Sequence, residues 1–361
     1  MSRIKKCEVQ IIKRPTVVMT TSYGVPPQEK EHVILSIEDE EGNRGWGEST
    51  PLPEFSGETA QNVALILKTE ILPGIMGMDS FNIAAAHHRM DRLIFGNHAS
   101  KMAVDGALYD LNAKNLKIPL YRLLGGKMRD EVPINRHIGI VSLDEAVKKA
   151  EKYLEDGYRS VKMKIGSDVD ADAKRVQAVR KVLRPDVALR VDANGGYSFT
   201  DAFSFIRQVE SCGLEMYEQL LPSWDLDGIA EIRRSTGVPV CIDEGIFSPH
   251  DALVSAEKYA ADFFTLKLVK TGGIYKALQI AGVAEAAGIR CVVANTFDTQ
   301  INCSACLHLA CALPSATVPH DLTCFATQPT LADTCHTLEK GLLRVGDEPG
   351  TGVRSLAEFS L

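Results

Sequence analysis

The chain has no surplus of positive charge: 40 lysines and arginines stand against 47 aspartates and glutamates, a formal net charge of −7 over 361 residues. That balance gives no electrostatic footprint for nucleic acid or an anionic membrane, so neither is expected as a partner. The opening residues MSRIKKCEVQIIKRP break their apolar pieces with charge and lack the continuous run of a signal peptide or membrane span. Cytoplasmic residence is therefore the expectation. A disulfide framework is missing too, because the nine cysteines are odd in number and scattered through apolar strings, as buried thiols of a reducing compartment would be. Cys303 and Cys306 form one C-x-x-C, with no second pair to complete a zinc site. No G-x-G-x-x-G follows the first strand of the β-rich region, which argues against an open dinucleotide-binding sheet.

What is present is 45% hydrophobic and 24% charged, an ordinary globular composition on a chain long enough for two domains at about 100–200 residues each. Residues 1–127 mix strand and helix signals, as an α+β unit would. VILSIEDEEGNRGWGE reads as two strands about Glu41-Gly42-Asn43, and TAQNVALILKTEILPGI as a helix ending before Pro73. From 128 to 325, short β-rich runs alternate with amphipathic helical stretches; the runs are 132–140, 158–166, 187–195, 213–219, 238–244, 261–268, 289–295 and 315–321. Eight such units predict an α/β fold in which a (β/α)8 barrel of the TIM type follows an N-terminal α+β capping domain. Residues 326–361 are expected to pack back on that capping domain and complete it.

Catalytic groups of such a barrel sit at the C-terminal ends of its strands. Run two ends in Lys162-Met163-Lys164, run three in Asp192-Ala193-Asn194, run four in Glu218, run five in Asp243-Glu244, and run six carries Lys267. Side chains alternate along a strand, so Lys162 and Lys164 share one face while Val161, Met163 and Ile165 share the other. One such charge would pass for an ordinary strand-to-loop residue, but five in succession predict a shared site. Asp192, Glu218 and Asp243 would repel one another unless a cation lay between them, and hard oxygen donors suit Mg²⁺ better than zinc. Lysines beside such a centre could exchange a proton with the α-carbon of a carboxylate, provided the pKa of the base falls towards neutrality. Asn194 lies on the same side as Asp192 and could orient a ligand, whereas Glu244 points away as a supporting partner of Asp243.

These motifs resemble those of the enolase superfamily, in its mandelate racemase/muconate lactonizing enzyme group and there its muconate lactonizing enzyme (muconate cycloisomerase) subgroup. GWGES and SGET (Gly45–Ser49, Ser56–Thr59) resemble the capping domain, and KMKIG, VDANGGY, YEQ, CIDEG and LKLVKTGGI follow the family's barrel order. The resemblance implies Mg²⁺, with Mn²⁺ as a substitute, on Asp192, Glu218 and Asp243. It implies Lys164 and Lys267 as the acid/base pair and Lys162 as the supporting cation. It also implies a small-molecule carboxylate substrate and a homo-oligomer. No histidine ends VVANTFD (292–298), which disfavours the mandelate racemase subgroup.

Asp298 stands where relatives often carry Glu. Asp321-Leu322-Thr323 keeps only the first acid of the pair with which dipeptide epimerases hold a substrate ammonium. Loops Met19–Pro27 and Thr50–Gly57 match the specificity loops, placing Tyr23, Leu52 and Phe55 at the pocket. Of Arg136 and His137, only one can face the mouth; His320 ends run eight as a structural histidine or a substrate contact. The expected activity is Mg²⁺-dependent isomerisation through an enediolate, as racemisation, epimerisation or muconate-type cycloisomerisation. The alternative is a lyase using the same intermediate, such as a dehydratase or an o-succinylbenzoate synthase-like enzyme.

Overall fold

In the computed structural model, which describes residues 2–356, the chain opens as a three-stranded antiparallel meander of β1 (Ile4–Pro15), β2 (Glu29–Asp39) and β3 (Arg44–Ser49). The Asp39 carboxylate accepts the backbone N–H groups of Glu41 (3.0 Å) and Asn43 (2.9 Å) and so closes the β2–β3 turn. Helix α1 (Ala60–Ile66) starts where the Thr59 hydroxyl accepts from Asn62 N. It does not stop before Pro73. The chain passes through a wider turn at Leu67–Ile71 directly into a last helical piece, Leu72–Ile75, so the wider turn lies just before Pro73, which has no N–H for the regular ladder. The long helix α2 (His98–Asn115) lies across the meander. Gly45 and Gly47 of β3 face it, and a Cβ on either would run into its backbone.

Seven parallel strands follow, hydrogen-bonded in sequence order: β5 (Arg136–Ile138), β6 (Ser160–Lys164), β7 (Ala188–Asp192), β8 (Met216–Glu218), β9 (Val240–Ile242), β10 (Phe263–Lys267) and β11 (Arg290–Ala294). The strand before them, β4 (Glu131–Pro133), pairs elsewhere. Between these strands run α3 (Leu143–Glu155), α4 (Val169–Val182), α5 (Phe199–Val209), α6 (Leu226–Thr236), α7 (Pro249–Glu257) and α8 (Ile274–Ala286), and α9 (Gln300–Ala312) follows β11. Ser142, Asp168, Ser198, Asp225 and Ser248 each cap the helix that follows by accepting a first-turn N–H.

The sheet is curled, and alternation sorts its residues. Met216, Cys241, Phe263, Val292 and Val318 form a buried apolar cluster on one face, and Glu218 and Asp243 follow two residues beyond Met216 and Cys241. Run eight, expected as a strand, contributes only single bridges, His320 to Ile134 and Asp321 to Ala294. Pro314 precedes it and Pro319 interrupts it, and proline cannot donate to a ladder.

The tail supplies β12 (Ala332–Thr334), β13 (Thr337–Glu339), β14 (Leu342–Arg344) and β15 (Val353–Leu356). β14 lies antiparallel to both β13 and β4, and β12 pairs with β15. Leu331, Ala332, Val353 and Leu356 are buried with Ile34 of β2 and Ile301 of α9, with Ile12 and Trp46 packed against them. The end of the predicted returning segment, from 357 on, lies outside the described residues. No described helix is long and apolar enough to cross a membrane.

Candidate active site

A cavity of about 580 Å³ lies over the C-terminal ends of the parallel strands and is lined by Lys162, Lys164, Asn194, Lys267 and Asp321, among others. β6 turns both lysines inward because Val161 and Met163 take the opposite, fully buried face. Lys162 Nζ reaches Glu218 Oε2 (2.9 Å), Asp192 Oδ2 (3.5 Å) and Asp321. Lys164 Nζ donates to Asp192 Oδ2 (2.6 Å) and Asn194 Oδ1 (3.0 Å). Across the sheet, Lys267 donates to Asp243 Oδ2, and its ammonium stands 4.4 Å from the centre of the Phe55 ring. Three carboxylates and three ammonium groups from five strand ends therefore meet in one place.

Burial favours neutral groups here, and the charges decide which stay ionised. Burial, with the repulsion of Asp192, Asp243 and Asp321, pushes Glu218 up to about 8 against the opposing pull of Lys162. Asp192 and Asp243 stay low despite their burial, because Lys164 and Lys162 flank the first, and Lys267 and Lys270 the second. The lysine pKa expected to fall does not fall at Lys267. Burial lowers it, but Asp243, Glu244 and Glu218 outweigh burial and hold it above the usual lysine range. Among the described residues, no three acidic, histidine or cysteine side chains stand as a formed cage around one point; ammonium groups are bonded to the carboxylates instead.

Around this centre, Asn194 Nδ2 donates to Glu244 Oε1 (2.9 Å), which also accepts from the Tyr23 hydroxyl (2.8 Å) on the N-terminal loop. Glu244 thus supports Asn194 and Tyr23 rather than Asp243, the partner expected for it. Arg136 and His137, of which only one is expected at the mouth, both line the cavity from opposite faces of β5; His137 is the one beside the lysines, with Nε2 3.0 Å from Asp321 Oδ1. Asp321 is held by Lys162, His137 and Asn135 Nδ2 (2.6 Å), so its oxygens are engaged by the protein itself. Leu52 and Phe55 line the cavity.

Asp298 stands apart. Its Oδ2 accepts from Thr296 N and Asn302 Nδ2 (both 2.9 Å), and burial together with Glu48 pushes it up to about 7. His320 is also out of the cavity, fully buried, with Nδ1 accepting from Val293 N (3.1 Å). Cys303 and Cys306 are buried on α9.

Two residues were not foreseen. Lys270, fully buried, grips Asp243 through Oδ1 (2.7 Å) and its backbone carbonyl (2.5 Å); its only signal was a lysine inside the apolar turn Leu268–Thr271 after β10. Gln219 adopts φ +37° and turns its Oε1 to accept from Asp243 N (2.9 Å) and Gly245 N (3.3 Å). No sequence pattern announces that conformation.

Known proteins share this arrangement of elements. Residues 4–125 match the family described as mandelate racemase / muconate lactonizing enzyme, N-terminal domain, and residues 145–358 match the enolase C-terminal domain-like family. The chain is 33% identical to an N-succinyl-L-Arg/Lys racemase of Bacillus cereus, over 83% of this chain and 80% of the racemase. It is 34% identical to an L-Ala-D/L-Glu epimerase of Clostridium acetobutylicum, over 78% of each chain. It superimposes with a TM-score of 0.93, at 31% identity and over 98% of this chain and 100% of the other, on a dipeptide epimerase of Enterococcus faecalis complexed with Mg and the dipeptide L-Leu-L-Tyr.

Proposed function

Since the chain belongs to the mandelate racemase/muconate lactonizing enzyme group of the enolase superfamily, we propose that it is a Mg²⁺-dependent isomerase that moves the α-proton of a carboxylate substrate between two lysines. One observation carries this reading: Lys164 and Lys267 line one cavity from separate strands, each ion-paired to a different carboxylate, Asp192 and Asp243. A substrate carbon between them would present one face to each. Lys164, oriented by Asn194, removes or returns the proton on one side, and Lys267, resting on Phe55, does so on the other. Lys162 adds positive charge beneath the substrate carboxylate.

Asp192, Glu218 and Asp243 fit a hard dication. All three are buried oxygen donors at or just past neighbouring strand ends, and a cation would relieve the repulsion that adds to burial in raising Glu218. Bound there, Mg²⁺ would supply positive charge against the negative charge the substrate gains as its proton leaves. Gln219 and Lys270 hold Asp243 in place for it. We propose further that the curled sheet closes as an eightfold barrel over residues 128–325, supported by the bridge of Asp321 to Ala294 of β11 and that of His320 to Ile134, two residues before β5. Residues 1–127 then cap it, and the tail supports the cap.

The test is solvent exchange in D₂O with Mg²⁺ and a set of N-acyl amino acids and other carboxylates. Lys164→Ala and Lys267→Ala should each abolish net turnover yet retain α-proton exchange for one enantiomer, and the two should prefer opposite enantiomers. Exchange of the same enantiomer by both variants, or wild-type turnover in Lys267→Ala, overturns the two-lysine assignment. Calorimetric titration of Mg²⁺ into the chelator-treated protein should show affinity at least tenfold weaker for Asp243→Asn; an unchanged affinity removes Asp243 from the metal site.

A further inference from the structure

Arg136 occupies an unusual position in the cavity wall. It begins β5 with its side chain on the face opposite His137, and its guanidinium lies over the ring of Tyr153 (4.6 Å to the centre) and over that of Tyr158 (5.2 Å). Tyr153 is itself pinned, its hydroxyl donating to His137 O (3.0 Å). Among the described residues no carboxylate pairs with Arg136; its one hydrogen bond is a 3.5 Å contact to Ala326 O. The residue is only partly exposed, and it lines the same cavity as Lys164 and Lys267. Aromatic contacts occupy the faces of a guanidinium and leave its in-plane N–H groups free. Arg136 is thus a held cation with unspent donors, in the geometry that takes a carboxylate through two parallel hydrogen bonds.

The acidic groups of the cavity tell the other half. Glu145 is paired with Lys149 (2.8 Å), Glu54 with Lys30 (3.8 Å), and Asp321 with Lys162 and His137. Every acid that lines the wall already has a cation, so none remains for a free substrate ammonium. The wall offers an unpaired positive charge and no unpaired negative one.

We propose that Arg136 is a specificity-determining residue and that the substrate carries a second carboxylate, away from the reacting carbon, which Arg136 binds, with any amino group acylated. This rests on the isomerase reading of the same cavity, because it takes the lysine end as the reacting end. The substrate class is a dianion: an N-acyl amino acid whose second carboxylate ends either the acyl arm or the side chain.

The experiment compares matched ligands that differ only in that group. N-succinyl- against N-butanoyl-phenylalanine varies the acyl arm, and N-acetylglutamate against N-acetylnorvaline varies the side chain. Their affinities for the Mg²⁺-loaded full chain are measured calorimetrically for wild type, Arg136→Gln and Arg136→Lys. Wild type should prefer the dianion of at least one pair by roughly 10- to 100-fold, the range of a charged hydrogen-bonding pair. Arg136→Gln should bring the ratio of dianion to monocarboxylate affinity to about one, and Arg136→Lys should restore only part of the preference. Equal affinity within both pairs, a preference that survives Arg136→Gln, or binding of no ligand by wild type overturns the proposal. The exchange assay separates the two claims. α-Proton exchange without a dianion preference keeps the isomerase and discards the role of Arg136, whereas an Arg136-dependent preference without exchange does the reverse.

Discussion

Asp298 shows what one buried acid does to the pH response of the fold. Burial and the neighbouring Glu48 raise it from an ordinary value of 3.8 to about 7. Between those values the folded protein keeps a proton that the unfolded chain has released, so this group's contribution is full below pH 3.8 and is lost as pH rises towards 7. Asp298→Asn stays neutral throughout and removes that loss. The difference in unfolding free energy between variant and wild type, measured by urea denaturation, should therefore shift in the variant's favour between pH 4 and pH 7, by about 1 kcal/mol per pH unit. A difference that stays flat over that window would show that Asp298 is ionised in the fold. The sequence marks Asp298 as a polar residue after β11, but its orientation comes from Asn302, one helical turn further along. That pairing, not its place in the motif, turns it away from the lysines.

At the level of elements, close approach between backbones explains the GWGES segment. Gly45 and Gly47 alternate onto the face of β3 that meets α2, and a side chain at either position would strike helix backbone, which cannot rotate aside. Gly47→Ala should destabilise by about 3 kcal/mol, the upper end for added bulk in a packed core, and a melting temperature within a degree of wild type would refute the packing argument. The loop carrying Tyr23 makes a different prediction. Its hydroxyl bond to Glu244 joins a half-exposed loop to Asn194 and, through it, to Lys164. Tyr23→Phe removes that bond without a change of shape. Amide exchange at Thr21 and Gly24, which bond to each other, should accelerate roughly 10- to 100-fold, as expected for one lost bond to a charged group, with exchange in β6–β8 unchanged.

The strand-end charges could be read from sequence because alternation alone assigns Lys162 and Lys164 to one face. The choice between Arg136 and His137 could not, because both are polar and β5 spans only Arg136–Ile138. Run eight misled because its apolar residues read as a strand, whereas Pro314 before it and Pro319 within it limit it to isolated bridges.

Across the whole molecule, one carboxylate from the N-terminal sheet holds the last long helix. Glu48 of β3, fully buried, accepts from Thr299 N (2.8 Å), Thr299 Oγ1 (2.7 Å) and Asn302 N (3.0 Å) at the start of α9, and pairs with His32 Nδ1 (2.9 Å). Its negative charge also sits at the positive end of the helix dipole. Glu48→Gln would set an N–H₂ group against these donors, and should cost about 2–4 kcal/mol with two donors left unsatisfied. Trp46 lies two residues away, so in a Trp224→Phe background, which removes the chain's other tryptophan, its fluorescence reports the N-terminal sheet, while far-UV ellipticity reports the whole chain. Both signals should shift together to a lower urea midpoint, and separate transitions would show that the two regions unfold independently.

The pairing of β14 with β4 carries a consequence for synthesis. Arg344 and Glu131, joined by an ion pair across those strands, are 213 residues apart in the chain. A ribosome adding about 5–20 residues per second leaves β4 waiting roughly 10–40 s for its partner. During that interval its edge is open to whatever other strand the cell presents. The nascent chain, rather than the finished enzyme, is where a chaperone would be needed.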